Sequence, residues 1–257
     1  MTFCLGIRVN EGLVGIADTR VISGNENITA RKVTVLHQPG GSFFIMTSGL
    51  RSVRDKAMTY FEELTAGQEE PYDRLFKAVN AFASQIRRVS QEDRASLEES
   101  GVHFNIQCLI GGQLTRDSEP KLYLIYPQAN WVEIGQETPY HIIGSPGYGK
   151  PVLDRTLKYT DSMRFALKVG CLAFDSTRIS AADVDFPIDV VLMFRSGQIV
   201  ERRFTKEDLV EISEGWQERL RNSVANLPST WLDRFFSDID DEGSGTGLPD
   251  LFSEVRG

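Results

Sequence analysis

The sequence of 257 residues is short of several residue types, and each shortage excludes a class of protein. Its three cysteines and three histidines are too few and too far apart for a disulfide framework or a zinc site. No apolar run reaches the ~18 residues that a membrane span requires, and no signal segment precedes residue 2. A formal net charge of −8 argues against a nucleic-acid surface. We therefore expect a cytoplasmic protein without metal, cofactor, membrane or nucleic-acid partner.

Composition predicts where the folded part of the chain ends. Hydrophobic residues make up 41% and charged residues 25%, which is ordinary for a globular domain. After residue 236 several aspartates are followed by the glycine-rich segment 243–247, a composition typical of a flexible linker or tail. We predict one domain over residues 1–236 and an acidic, glycine-rich flexible tail over residues 237–257.

Hydrophobic periodicity predicts pairs of helices alternating with runs of antiparallel strands. Alternation on both sides of the turn at 10–12 predicts a first hairpin, and the polar stretch 20–30 predicts a loop. Pro71 is expected in the first turn of the second helix. Further strands are predicted over residues 32–36, 42–49, 103–112, 121–126, 130–135, 140–144, 187–194 and 198–204, and helices over 53–64, 71–89, 147–160, 163–176, 209–220 and 230–236. This order favours the α+β class over a parallel doubly wound sheet.

The start of the chain can carry a reactive pair of groups. Residue 2 is a threonine, small enough for the initiator Met1 to be removed, and the new first residue then has an amine and a hydroxyl on adjacent carbons. Such an amine can serve as the base that activates the hydroxyl, because its pKa of about 7.7–8.0 leaves a share neutral near pH 7. A lysine ammonium nearby lowers that pKa, and a carboxylate holds the lysine in place. Asp18 and Lys32 are the candidates, with Arg31 as the competitor of Lys32.

The order of Thr2, Gly6, the segment 14–20 and Lys32 resembles the opening of a proteasome-type β subunit, an N-terminal-nucleophile hydrolase. The short start and the long C-terminal extension are most similar to the bacterial ancestral-β-subunit (Anbu) branch. The resemblance covers roughly residues 2–225. It implies a four-layer αββα sandwich of two antiparallel sheets and a threonine peptidase that needs no cofactor. It also implies a homo-oligomer, a ring or a helical turn, that encloses the sites and acts on peptide or protein substrates.

The resemblance assigns roles to residues further along the chain. Ser48 and Gly49 match the segment whose backbone N–H stabilises the oxyanion, where the family usually has two glycines. Ser145 matches a serine that supports the nucleophile's amine, and Asp175 matches a second supporting acid. Three positions after that acid the family usually has a serine, whereas this chain has Arg178.

The substrate pocket is expected to be apolar. Val21, Met46 and Leu50 fall near the specificity-pocket positions of the family. Packing in the core is an equally good interpretation of all three residues. Asp18 likewise has a second interpretation, in which it pairs with Arg20 across an exposed turn.

Two other functions stay open. The position of Arg178 favours a proteasome-like scaffold or binding protein that has kept the fold without robust catalysis. The segment Gly144–Lys150 nearly matches a phosphate-binding loop, since a glycine, four residues, a glycine and a lysine lie between a predicted strand and a predicted helix. However, Pro151 stands where such a loop has its Mg²⁺-binding Ser or Thr.

Overall fold

The computed structural model describes residues 2–23, 26–233 and 236, and its chain divides into two compact units, Met1–Ser213 and Glu214–Gly257. The strands are β1 (Phe3–Val9), β2 (Gly12–Asp18), β3 (Arg20–Ser23), β4 (Glu26–Thr29), β5 (Val33–Gln38), β6 (Gly41–Gly49), β7 (Ile106–Leu114), β8 (Lys121–Ile125), β9 (Trp131–Glu133), β10 (Tyr140–Gly144), β11 (Ile188–Phe194) and β12 (Ile199–Phe204). The helices are α1 (Arg51–Ala66), α2 (Leu75–Glu99), α3 (Lys150–Thr156), α4 (Met163–Ser180) and α5 (Lys206–Ala225).

Ten of these strands form two five-stranded antiparallel sheets. The first sheet has the order β10-β1-β2-β11-β12 and the second has the order β5-β6-β7-β8-β9. In the second sheet each strand pairs with its neighbour in sequence, as a meander does. The remaining two described strands, β3 and β4, pair with each other and with no other strand that the structure describes.

Three apolar clusters show how the sheets and helices are layered in the first unit. One cluster joins α1 and α2 to one face of the second sheet, and another joins α3 and α4 to one face of the first sheet. The third contains residues of both sheets, among them Leu13, Phe44 and Leu109, and fills the space between them. Because side chains alternate between the two faces of a strand, each sheet contributes to two clusters. The result is the predicted αββα sandwich.

The structure corrects three predictions of local structure. Residues 20–23 and 26–29 form the paired strands β3 and β4 rather than a loop, with Val21 opposite Ile28 in their register. Pro71 lies before α2 rather than in its first turn, since the helix begins at Leu75, whose N–H donates to Asp117 at 2.8 Å. The helix predicted over 147–160 is shorter and covers only Lys150–Thr156. The other predicted strands are confirmed, as are the helices predicted over 53–64, 163–176 and 209–220, with ends shifted by a few residues. Of the helix predicted over 230–236, residues 230–233 are helical, and residues 234–235 lie outside the described residues.

The second unit contains the end of α5 and a helical segment at residues 230–233. Met1 and the tail predicted over 237–257 lie outside the described residues, and the domain boundary at residue 236 stays a prediction. Of the helices described, none is both long and apolar enough to cross a membrane.

Candidate active site

An open cavity of about 310 Å³ lies where β1 begins and where β6 and β10 end. Its lining includes Thr2, Lys32, Ser48, Gly49 and Gly144. These residues come from four places in the sequence, and the pairing of β1 with β10 and of β6 with β7 brings them to one end of the sandwich. Four of the predicted site residues, Thr2, Lys32, Ser48 and Gly49, therefore share one cavity, and Val21 also lines it.

Strand alternation explains why Thr2 and Ser48 face this cavity. On β1, Phe3 belongs to the cluster under α3 and α4, whereas Cys4 belongs to the cluster between the sheets. Thr2, two residues before Cys4, is on the inter-sheet face. On β6, Met46 fills the inter-sheet core and Ser48 follows on the same face. At this end of the sandwich polar side chains thus replace the apolar ones of the core.

The backbone around Thr2 is held on both sides. The N–H of Ser145 donates to the Thr2 carbonyl at 2.8 Å, and the N–H of Phe3 donates to Asp18 Oδ1 at 2.8 Å. Gly144 has φ of +98°, and a Cβ there would lie 1.8 Å from the Thr2 carbonyl oxygen. This close approach requires glycine at residue 144. The position of Thr2 is therefore fixed by β2, β10 and the loop that follows β10.

Asp18 and Lys32 form a buried ion pair beside this backbone. Asp18 is fully buried and Lys32 is 6% exposed. The Lys32 ammonium donates to both carboxylate oxygens at 2.8 Å and to the carbonyl of Arg20 at 2.6 Å. Burial raises the pKa of the Asp18 carboxyl, and the attraction of the Lys32 ammonium opposes that rise. The carboxylate thus holds both the lysine and the N–H next to Thr2.

The neighbouring basic residues have other partners. Arg31, the competitor of Lys32, is half-exposed and pairs with Glu201, while its Nε lies 3.9 Å from Asp189. Arg20, which could have paired with Asp18, instead donates to Asp185 at 3.0 Å. In this arrangement Lys32 is the cation beside Asp18.

The two residues assigned to support the amine lie in different surroundings. Ser145 is buried and bonds to the Thr2 carbonyl through its own N–H. Asp175 is also buried, but it accepts hydrogen bonds from Arg178 at 2.6 Å and from the Ser213 hydroxyl at 2.7 Å, and it is not among the residues that line the cavity. The structure brings Ser145 to Thr2, while the supporting role of Asp175 stays a prediction.

The lining of the cavity differs from the apolar pocket that we expected. Met46 is fully buried in the inter-sheet core, because it lies on the same face of β6 as Ser48 but two residues further from the end of the strand. Leu50 packs on the cluster under α1 and α2. Arg51 and Arg54 line the cavity, and sequence reasoning missed them. Their signal was two arginines in the first turn of a helix, where acidic residues are normally preferred.

The loop that resembles a phosphate-binding motif has other structural roles. The Lys150 ammonium donates to both carboxylate oxygens of Asp154 at 2.8 Å and to the Tyr140 hydroxyl at 3.1 Å. Gly144 allows the Thr2 carbonyl oxygen to lie close to the backbone of β10, as described above. The helix that follows has only seven residues. These contacts explain the glycine and the lysine without a nucleotide.

The cysteines and other potential metal ligands form no metal site in the part of the chain that the structure describes. Cys4, Cys108 and Cys171 are free and buried, as predicted. Burial raises the pKa of the Cys171 thiol to about 12, so it is protonated at neutral pH. Within the described ranges, no three His, Cys, Asp or Glu residues are grouped as metal ligands.

Comparison with known proteins gives a consistent result. No protein-family model and no curated protein matches the chain. Among solved structures, Anbu from Yersinia bercovieri is 28% identical with a TM-score of 0.81, and the match covers 88% of this chain and 98% of that one. An Anbu mutant from Hyphomicrobium sp. strain MC1 is 27% identical, covering 89% and 98% of the two chains at a TM-score of 0.81. The Anbu of a helical assembly from Pseudomonas aeruginosa is 26% identical, with coverage of 88% and 97% and a TM-score of 0.81. The chain is thus similar, over most of its length, to the Anbu branch of the proteasome-like proteins.

Proposed function

We propose that this protein is a threonine peptidase whose nucleophile is the hydroxyl of Thr2, exposed by removal of Met1. The observation that carries the proposal is the buried Asp18–Lys32 pair, because it links the two parts of the site. Asp18 bonds both to the N–H directly after Thr2 and to the ammonium of Lys32, and Thr2 and Lys32 line one cavity.

The reaction follows from these positions. The free amine of Thr2 takes the proton of its own hydroxyl, and the oxygen attacks the carbonyl carbon of the scissile peptide bond. Backbone N–H groups at Ser48 or Gly49 stabilise the oxyanion. The C–N bond then breaks, the amine passes its proton to the leaving group, and an acyl-enzyme remains. Water, activated by the same amine, releases the acid product and restores Thr2.

Lys32 and Asp18 influence the protonation of the Thr2 amine and do not contact the peptide bond that is cleaved. A positive charge near the amine disfavours its protonated form, so a larger share is neutral and able to act as the base. Asp18 keeps the ammonium in place. Because the site lies in a cavity, these charges are screened less than they would be at the surface.

We also assign to this chain assembly into a homo-oligomer. The relative from Pseudomonas aeruginosa is described as a helical assembly, and it matches 88% of this chain. A ring or a helical turn of subunits would enclose the cavities and restrict which substrates reach them.

The test is hydrolysis by two variants of Thr2 that are matched in size. Thr2→Ala should reduce peptide hydrolysis at least ~10³-fold, since it removes the nucleophile. Circular dichroism should show that the fold of this variant is unchanged. Thr2→Ser keeps an amine and a hydroxyl on adjacent carbons and should retain activity within about tenfold. Full activity in Thr2→Ala would refute the proposal.

A second candidate is a proteasome-like scaffold or binding protein without robust catalysis. The contact between Asp175 and Arg178 favours it, because an arginine stands where the family usually has a serine and its guanidinium engages the acid assigned to support the amine. The mass of the intact purified protein discriminates between the two functions. A chain that keeps Met1 has no free amine on Thr2 and supports the scaffold, whereas loss of Met1 supports the peptidase.

A further inference from the structure

The charge of the cavity is unbalanced. Four of the residues that line it are basic, namely Arg20, Lys32, Arg51 and Arg54, and none of the described lining residues is acidic. The other side chains nearby are mostly polar and uncharged, among them Thr47, Ser48, Asn105 and Gln107. Since the whole chain carries a formal net charge of −8, this concentration of positive charge runs against its overall composition.

Two of the four cations have carboxylates of their own. Lys32 is paired with Asp18, which is fully buried, and Arg20 donates to Asp185 at 3.0 Å. These pairs bring little net charge to the cavity.

Arg51 and Arg54, in contrast, share one carboxylate. The Nε of Arg51 lies 3.3 Å from Asp55 and Nη1 of Arg54 lies 3.6 Å from the same residue. The side chain of Asp55 is 53% exposed, so water screens its charge. Arg54 also donates to the carbonyl of Arg31 at 2.8 Å, which holds the guanidinium without neutralising it. The pair therefore leaves a net positive charge at the cavity.

The two arginines lie close in the chain to the segment that is proposed to stabilise the oxyanion. They lie three residues apart in the first turn of α1, on one face of the helix, and α1 follows the Ser48–Gly49 segment after a single residue. The side chain of Arg54 is 23% exposed, so its charge is partly shielded from water and acts more strongly on a group inside the cavity. In a first turn two arginines oppose the helix dipole, so the stability of α1 does not account for them.

From this geometry we infer that the cavity selects substrates with an acidic side chain, glutamate or aspartate, on the residue whose carbonyl is attacked. Arg54 is the specificity-determining residue, and Arg51 contributes charge from the rim. A guanidinium binds a carboxylate through two parallel hydrogen bonds, which gives both orientation and affinity. The inference rests on the proposed peptidase function and replaces the expected apolar pocket.

The test compares peptides that differ in one group. Three N-acetylated tripeptides with a fluorogenic amide are identical except for the last residue, which is Glu, Gln or Lys. We expect kcat/KM to be at least ~10-fold higher for Glu than for its isostere Gln, because a charge-assisted hydrogen bond is about twice as strong as a neutral one. Lys should be the poorest substrate. A ratio of Glu to Gln at or below one would overturn the inference.

Variants separate charge from shape. Arg54→Gln should lower kcat/KM for the Glu peptide about tenfold and that for the Gln peptide less than threefold. Arg88→Gln is the matched control, since Arg88 is an exposed arginine of α2 outside the cavity lining, and it should leave the ratio unchanged. An equal loss for both peptides in Arg54→Gln would contradict a role in selection.

Binding distinguishes failure of this inference from failure of the peptidase proposal. If no peptide is hydrolysed, the proposed function fails, and the same tripeptides with a plain C-terminal amide are titrated into the protein by calorimetry. A Kd at least ~10-fold lower for Glu than for Gln supports an acid-selective cavity in a binding protein. Equal or weaker binding of the Glu peptide overturns the inference.

Discussion

At the scale of single residues, the site depends on charges that are taken out of water. Asp18 is fully buried and Lys32 nearly so, and each satisfies the other through two hydrogen bonds of 2.8 Å. A buried ion pair of this kind adds little net stability, because desolvation offsets the attraction between the charges. The pair instead positions the groups around it, since Asp18 holds both Lys32 and the backbone beside Thr2.

Removal of one partner should be costly. Lys32→Met keeps most of the length of the unbranched side chain but leaves Asp18 buried without its cation, so we expect a loss of about 3–5 kcal/mol in the free energy of unfolding at pH 7. Urea denaturation measures the change. Lys77→Met is the control, because Lys77 is half-exposed and its pair with Asp73 lies on the surface of α2. A loss in Lys32→Met as small as that of the control would contradict the buried pair.

The ionisation of Asp18 should also appear in the pH dependence of stability. Burial raises the pKa of this carboxyl above its usual value of about 3.9, so the folded protein binds the proton more tightly than the unfolded chain. The stabilisation that results from this tighter proton binding is fully present below the pKa of Asp18 in the unfolded chain. It is lost as pH rises through the pKa of Asp18 in the folded protein. The free energy of unfolding of wild type minus that of Asp18→Asn should therefore fall with rising pH, starting near pH ~4. Urea denaturation at a series of pH values measures it, and a difference that grows with pH would be the opposite result.

At the scale of strands and helices, the site is made by the ends of elements. Thr2 precedes β1, Gly49 ends β6, Gly144 ends β10 and Arg51 begins α1. Because the sheets bring these ends together, one glycine can decide whether they fit.

Gly144→Ala tests this arrangement. The new Cβ would meet the Thr2 carbonyl oxygen at 1.8 Å, and φ is +98° there, so we expect a loss of at least ~2 kcal/mol in the free energy of unfolding. Gly147→Ala, three residues on, is the matched control, because its Cβ would meet nothing within 4 Å. Thermal or urea unfolding of the two variants measures the difference. Equal stability would mean that the backbone of Thr2 does not lie against residue 144.

Most of the fold could be predicted at this scale, because long apolar patterns are strong signals. The first hairpin, the buried strand ending at Gly49 and the helix pairs follow from periodicity and turn residues. The strand pair β3–β4 was missed because its four-residue strands have many polar residues in their sequence and belong to neither five-stranded sheet. The sequence pattern of so short a strand cannot be distinguished from that of a loop.

The site could be predicted only in part. Thr2, Asp18 and Lys32 could be proposed from the sequence because their types and order resemble the opening of a proteasome-type β subunit. The location of Met46 could not be predicted, since the sequence does not tell whether an apolar residue near the end of a strand faces a pocket or the core. Arg54 was missed for a related reason, because its importance depends on which carboxylates lie nearby, and that requires three dimensions.

At the scale of the whole molecule, the sandwich explains where the cavity opens. The inter-sheet core is apolar along most of its length, and polar side chains replace the apolar ones at the end where Thr2 lies. Under the proposed function, exclusion of large substrates from such an open cavity would require neighbouring subunits.

We expect the protein to assemble accordingly. The purified protein should have a molar mass by light scattering that is a multiple of the chain mass, as the described helical assembly of its relative suggests. Thr2→Ala should assemble equally well, because residue 2 lies in the cavity of its own subunit. A protein that stays monomeric at micromolar concentration would contradict this expectation.

The most direct measurement of the central claim is covalent capture of Thr2. A peptide epoxyketone needs both groups of the site, because the hydroxyl adds to the ketone and the amine then opens the epoxide, forming a ring without a leaving group. Intact-mass spectrometry of protein that begins at Thr2 should show addition of one reagent per chain, located on Thr2 by peptide mapping and absent in Thr2→Ala. A processed protein that gains no mass, or an adduct that persists in Thr2→Ala, would contradict the account.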